Sequence, residues 1–459
     1  MRKKRIGIVA FDYQLGYQPV VINSALILER EGYEVHIFID TPSYEESKIS
    51  FGDTNVTIHP IDRRESPRDA EPTNGQTRSF IATVEVLLRA LPRHGALLRS
   101  LYRQTAWLYW KLYLMFYQAF YNRGSPSEKR IKQTSDFFPA LFDFQKTLAQ
   151  SIDSEYVCLL GIDANGLVAA TMIAENGSQD RRIPVIYYNM ELLLVRYAHT
   201  LQMQALTSLE QSCIKSCHCV VIQDEKRAAH FLADNKLPPE KIVYLPVSGL
   251  RAPYRGKSTY LRDLLNISAD QRILLHAGAI MDYGMCLELA EAANNWGDNL
   301  VLVLHSALAP QTLHFDSGYV DKVKRAAHAN KVFLSLNPVP WDKVPELISS
   351  ADIGLMFYKN KDKDPNFYEI GQSSNKLVQY LQAGLPVITT NFPSLRSVTQ
   401  GCQCGESTED LNEISALADR ILTDYATYRN NAFKCYTEKY SLSRYFDVVI
   451  ERIRQLELR

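Results

Sequence analysis

The feature that most limits what this 459-residue chain can fold into is an alternation that begins twice. Runs rich in β-branched residues predict strands: "RIGIVAFD" (5–12), "YEVHIFID" (33–40), "VTIHPID" (56–62), "YVCLLGID" (156–163), "IPVIYYNM" (183–190), "CVVIQD" (219–224) and "KIVYLP" (241–246). Amphipathic segments such as "VVINSALILEREG" and "EKRAAHFLADN" separate several of them. Strands alternating with helices imply a parallel sheet wound in both directions.

After a basic, turn-rich stretch, "VSGLRAPYRGKSTY" (247–260), the pattern restarts. "RILLHAG" (272–278), "NLVLVLHS" (299–306), "KVFLSL" (331–336), "DIGLMFY" (352–358) and "LPVITT" (385–390) are its strands. The expected architecture is α/β, with two Rossmann-like doubly wound domains facing across a cleft. They span 1–254 and 255–440, and the segment 441–459 forms a helix that packs back on the first domain. Open α/β sheets bind ligands outside the carboxyl ends of their strands, so the cleft is the expected site.

Residues 63–150 interrupt the first alternation as an insertion. Its start, "RRESPRDAEPTNGQTRS" (63–79), is polar and turn-rich. The stretch 86–124 then carries Arg89, Arg93, Arg99, Arg103, Lys111 and Arg123 with no acid, among Trp107, Tyr109, Trp110, Tyr113, Phe116, Tyr117, Phe120 and Tyr121. Cations beside aromatic rings on helices are what a membrane interface selects. No run of about eighteen apolar residues predicts a spanning helix.

Lys plus Arg balance Asp plus Glu at 51 each, so no global charge favours nucleic acid. Eight cysteines are too few for a disulfide scaffold in a chain of this length. "CIKSCHC" (213–219) and "CQC" (402–404) lack paired zinc-ligand spacing and are expected to be core thiols. A cytoplasmic protein at the inner face of a membrane is the expectation.

The most informative local stretch is "SSNKLVQYLQAGLPVITT" (373–390). Ser373 and Ser374 precede a helix whose first turn holds Asn375 and Lys376, so a helix N-terminus and an ammonium meet at one point. That combination is an anion site. Gly384 is expected as a left-handed helix stop. In "HAGAIMDYGM" (276–285), Gly278 permits close backbone approach between strand and helix. Asp163 and Glu191 follow strands at the expected cleft, where carboxylates serve function. Gly16, in the first loop, permits close backbone approach. His276 and His305 are assigned no catalytic role.

"SSNKLVQYLQAGLPVITTN" resembles the "PxKLxEYLAAGxPVI" segment of nucleotide-sugar glycosyltransferases of the GT-B fold, especially family 4 and its relatives. "LLHAGAIMDYGMCLELAEA", "VPWDKVPELISSADIGLMFY", "GIDANGLVAA" and "VIYYNMELL" extend the likeness over most of the chain outside about 63–150. The resemblance implies a donor nucleoside diphosphate sugar held by Lys376, the backbone at Gly278 and Ala279, and the turn at Ser373, Ser374 and Asn375. It places Gln379 where relatives carry the carboxylate for the ribose hydroxyls, and Glu369 near the sugar. With Asp163, Glu369 is the candidate catalytic residue; Glu191 and Gly16 face the acceptor. Transfer to a glycan or lipid-linked hydroxyl with retained configuration, in polysaccharide or glycoconjugate biosynthesis, follows from the same likeness. No cofactor or metal is expected, since no Asp-x-Asp motif stands at a strand end. Ala279 and Tyr283 occupy places where relatives carry cations, and together with Gln379 in place of a carboxylate they motivate one alternative, a non-catalytic GT-B partner subunit. A nucleotide-sugar epimerase is the other.

Overall fold

A computed structural model describes residues 3–13, 15, 19–47, 49, 51–62, 107–153, 155–176, 182–310, 312, 315–359 and 362–458. Gly16 and the first part of the insertion, residues 63–106, lie outside the described residues.

The first sheet contains β1 (Arg5–Ala10), β2 (Glu34–Asp40), β3 (Val56–Ile61), β4 (Tyr156–Ile162), β5 (Val185–Tyr188), β6 (Cys219–Ile222) and β7 (Ile242–Tyr244). Its order is β3-β2-β1-β4-β5-β6-β7, with parallel pairing between all neighbours. The second contains β8 (Arg272–Gly278), β9 (Leu300–Ser306), β10 (Val332–Ser335), β11 (Ile353–Met356), β12 (Val387–Thr390) and β13 (Gly405–Thr408), in the order β10-β9-β8-β11-β12-β13, again parallel. Strands buried on both faces read as unbroken apolar runs, and β4, β9 and β12 are buried along their whole length. The sheet edge β13, "GEST", is absent from the sequence reading because an edge strand needs no apolar alternation.

The last part of the insertion belongs to the first domain's cover. Ser125 and Glu128 form a reciprocal capping box that starts the helix Pro126–Phe137. The next helix, Pro139–Leu148, sends Leu141, Phe144 and Leu148 into the core beside β4. Ahead of them the helix from residue 107 continues into the π-helical turn Tyr117–Tyr121. Leu114 and Tyr117 face inward on Ala205, whereas Leu108, Met115, Phe116, Phe120 and Tyr121 are exposed by 51–72%. Among the described residues no helix is long and apolar enough to cross a membrane.

The chain crosses between the sheets side by side with its own return. Gly249 N donates to Tyr440 O (2.8 Å) and Leu442 N donates to Gly249 O (2.9 Å). Beyond this, the helix Asp447–Glu457 lies against β4 and is tied there by Lys4–Glu457 (2.8 Å) and Arg454–Glu31 (2.9 Å).

Candidate functional site

In the second sheet the strand order reverses between β8 and β11, and the site grows from that reversal. The helix Asn375–Gln382 starts there. Ser374 caps it, its hydroxyl accepting from Leu377 N (3.2 Å). Leu377, Val378, Tyr380 and Leu381 form the buried face. Tyr380 fixes the helix to β8: its hydroxyl donates to Leu275 O (2.9 Å) and accepts from Ala277 N (2.8 Å). Gly384 ends this element at φ +66°, and a side chain there would strike the Phe433 ring.

This scaffold aims Lys376 at the carboxyl end of β8. Its ammonium lies 3.3 Å from His276 Nε2 and 5.4 Å from the centre of the Tyr358 ring. No carboxylate among the described residues pairs with it. Burial pushes Lys376 down to about 8, with the Cys286 thiol opposing. Burial, reinforced by Lys376, also holds His276 well below its ordinary range, so the ring is neutral and Nε2 accepts from the ammonium. Gly278 has φ +154°, and a Cβ on it would lie 3.1 Å from Lys376 Cε and 3.2 Å from Nζ. Glycine is therefore what lets the lysine cross the strand end.

These groups open onto a cleft of about 1280 Å³ lined by both domains. Gly278, Ala279, Ser373, Ser374, Asn375, Lys376 and Gln379 all line it, so the seven expected donor-side residues are brought together. Asn375 Oδ1 is buried there without a hydrogen-bond partner. Tyr283 adds a ring against Phe367 (5.5 Å). His305 also reaches the lining, its Nδ1 2.9 Å from Ser335 Oγ and its pKa lowered to about 4 by burial.

From the first domain the cleft receives Glu191, which solvent reaches. Desolvation, limited by this solvent access, raises its carboxyl above the ordinary glutamate range against the pull of Arg227, with Asp163 and Asp364 adding to the rise. Asp163 does not line the cleft. At φ +51° it turns beneath the loop that follows β5 and accepts from Met190 N (2.8 Å) and Glu191 N (3.0 Å), with burial raising it to about 6. Its geometry is that of a residue positioning Glu191. Glu369 is also off the cleft lining, buried at a helix end with Lys226 Nζ 3.5 Å away.

Sequence reasoning missed Arg227. It is 1% exposed on the helix Glu225–Asn235 and joins the two domains: Nη2 donates to Met190 O (2.8 Å) and Asn366 Oδ1 (3.1 Å), Nη1 to Ser373 Oγ (3.3 Å), and Nε to Gln223 Oε1 (2.7 Å). The available signal was its place on the buried face with Ala228 and Phe231. Arg251 was missed as well. It lines the cleft with its guanidinium 3.7 Å from the centre of the Trp341 ring.

Two doubly wound parallel sheets facing across a cleft make this a GT-B fold, the architecture of GT-B glycosyltransferases. Sucrose-phosphate synthase from Thermosynechococcus elongatus matches with a TM-score of 0.66 at 14% identity, over 99% of this chain and 100% of that one. HepE of Anabaena, in complex with UDP and glucose, matches with 0.62 at 12%, over 99% and 100%. WaaG, a glycosyltransferase involved in lipopolysaccharide biosynthesis, matches with 0.53 at 13%, over 95% and 97%. At these identities the likeness is one of fold. No protein-family model and no curated protein matches the sequence.

Proposed function

We propose that this protein is a glycosyltransferase that moves a sugar from a nucleoside diphosphate sugar to a hydroxyl of a glycan or lipid-linked acceptor, with retention at the anomeric carbon. The observation that carries this reading is the Lys376 ammonium, desolvated at a helix N-terminus and without an acidic partner among the described residues. A buried cation of this kind costs stability unless an anion completes it. A departing nucleoside diphosphate supplies that anion, and its charge grows as the sugar bond breaks. Lys376 and the helix dipole therefore stabilise the transition state more than the bound donor. The complex of HepE with UDP-glucose, on the same fold, supports a uridine nucleotide as the first donor to test.

On the opposite wall, Glu191 meets the acceptor, held in place by Asp163 beneath its backbone. Glu369 braces the interface near the donor turn through Lys226. The exposed rings of Phe116, Phe120 and Tyr121, beside Lys111 and Arg123, dock the protein on an anionic membrane surface, where a lipid-linked acceptor would be met. A role in polysaccharide or glycoconjugate assembly accords with such a surface. A second reading, a partner subunit with the fold but no transfer activity, rests on Ala279 and Tyr283 in place of two cations.

A thermal-shift panel of UDP, GDP, ADP, CMP and dTDP and their sugars separates the two. One diphosphate that raises the melting temperature of the wild type but not of Lys376→Ala supports the transferase. Silence across the panel from folded protein supports the partner subunit.

A further inference from the structure

The sequence reading takes Cys402 and Cys404 as scattered core thiols, but the fold brings them to one point with Cys435. The three sulfurs lie within 4.8 Å of one another, the only such group of three or more potential ligands among the described residues. Each comes from a different position on the second domain's edge. Cys402 ends the helix Pro393–Cys402, Gln403 turns the chain at φ +52°, and Cys404 leads into β13. The turn is held by Cys404 N donating to Thr399 O (3.1 Å). Cys435 arrives on the helix Tyr425–Lys439, and Lys439, one turn further on, faces Cys402.

We infer that Cys402, Cys404 and Cys435 form a three-thiolate site for a zinc ion. Sulfurs around tetrahedral zinc at about 2.3 Å stand about 3.8 Å apart, so small side-chain adjustments bring three thiols within 4.8 Å to that arrangement. Two cysteines suffice for a disulfide. A third thiol aimed at the same point is what a metal requires and a disulfide does not use. Cys404 and Cys435 are buried, while Cys402 is partly exposed and provides the way in. Three thiolates around a dication leave one negative charge, which the Lys439 ammonium offsets. Zinc would compete with protons for the sulfurs, so its affinity is expected to fall at acid pH.

Such an ion would join the helix Pro393–Cys402, β13 and the helix Tyr425–Lys439. The last of these carries Phe433 beneath Gly384 and packs on the Asn375–Gln382 helix. The metal would then be a structural clip behind the helix that carries Lys376.

The test uses the full chain, purified under reducing conditions without chelator. Elemental analysis is expected to find about one zinc per chain, and cobalt(II) added to metal-stripped protein is expected to give thiolate-to-metal charge-transfer absorption. Cys402→Ser, at the partly exposed position, keeps the fold by circular dichroism and lowers zinc affinity, read against a chromophoric chelator, by more than about tenfold. Three results would overturn the inference: no charge-transfer band from wild-type protein, zinc affinity unchanged in both Cys402→Ser and Cys435→Ser, or a non-reduced mass showing two of the three thiols already joined.

Discussion

The Lys376 ammonium donates to the neutral ring of His276 across 3.3 Å, with Gly278 supplying the gap between them and the strand end. A cation solvated by an imidazole and a phenol ring, rather than by a carboxylate, is poised for an outside anion. Replacing Lys376 by Ala is expected to cost about 1–3 kcal/mol of nucleoside diphosphate affinity, measured by isothermal titration.

The same lysine dictates a pH dependence. Its proton leaves near pH 8 in the free protein. Above that value the charged form must be regenerated to bind a diphosphate, so affinity is expected to fall about tenfold per pH unit. The stability effect has the opposite direction. Between about 8 and the ordinary lysine range near 10.4 the unfolded chain holds more protons than the folded one, so stability rises with pH across that window. Below pH 8 the penalty of the buried cation is fully present. Lys376→Met is expected to flatten this window and to raise the melting temperature of the ligand-free protein at neutral pH, while abolishing the shift that a diphosphate produces.

Gly278→Ala tests the gap directly. A methyl group 3.2 Å from Nζ, on a backbone angle that side chains rarely adopt, is expected to displace Lys376 and weaken diphosphate binding by about tenfold or more. Affinity equal to wild type would mean that the lysine is not the anion's partner.

Arg227 reaches Asn366 and Ser373 from the opposite domain. Arg227→Met leaves Met190 O and Asn366 Oδ1 without this donor, and is expected to cost about 1.5–3 kcal/mol in chemical denaturation. It should also broaden the interdomain distances seen by small-angle scattering. A loss confined to stability, with unchanged scattering, would limit the residue to packing.

For the exposed aromatic turn, the triple change Phe116→Ser, Phe120→Ser and Tyr121→Ser is expected to reduce partition to anionic vesicles by about tenfold or more in co-sedimentation. Diphosphate affinity should be unchanged, because none of these side chains lines the cleft.

Much of this was legible in the sequence for definite reasons. Twelve of the thirteen strands announce themselves as apolar runs, since a sheet covered on both faces cannot hide them. The donor corner is legible because cap, cation and stop stand in order at Ser374, Lys376 and Gly384. What the sequence could not give was direction. Asp163 and Glu191 both follow strands, yet the left-handed backbone of Asp163 sends its carboxylate under the loop while Glu191 meets the cleft. Arg227 and Cys435 were illegible for a related reason, because their partners lie far along the chain and come together only through tertiary packing.

The paired crossing at Gly249 and Leu442 has a mechanical consequence. A single connecting strand is a swivel and leaves two lobes free to twist about it. Two crossing segments bonded at Gly249 couple the lobes at a second point, so a twist of one lobe against the other has to strain two backbone hydrogen bonds. Glu191 and Lys376 are therefore expected to stay opposite one another if the cleft narrows around a ligand.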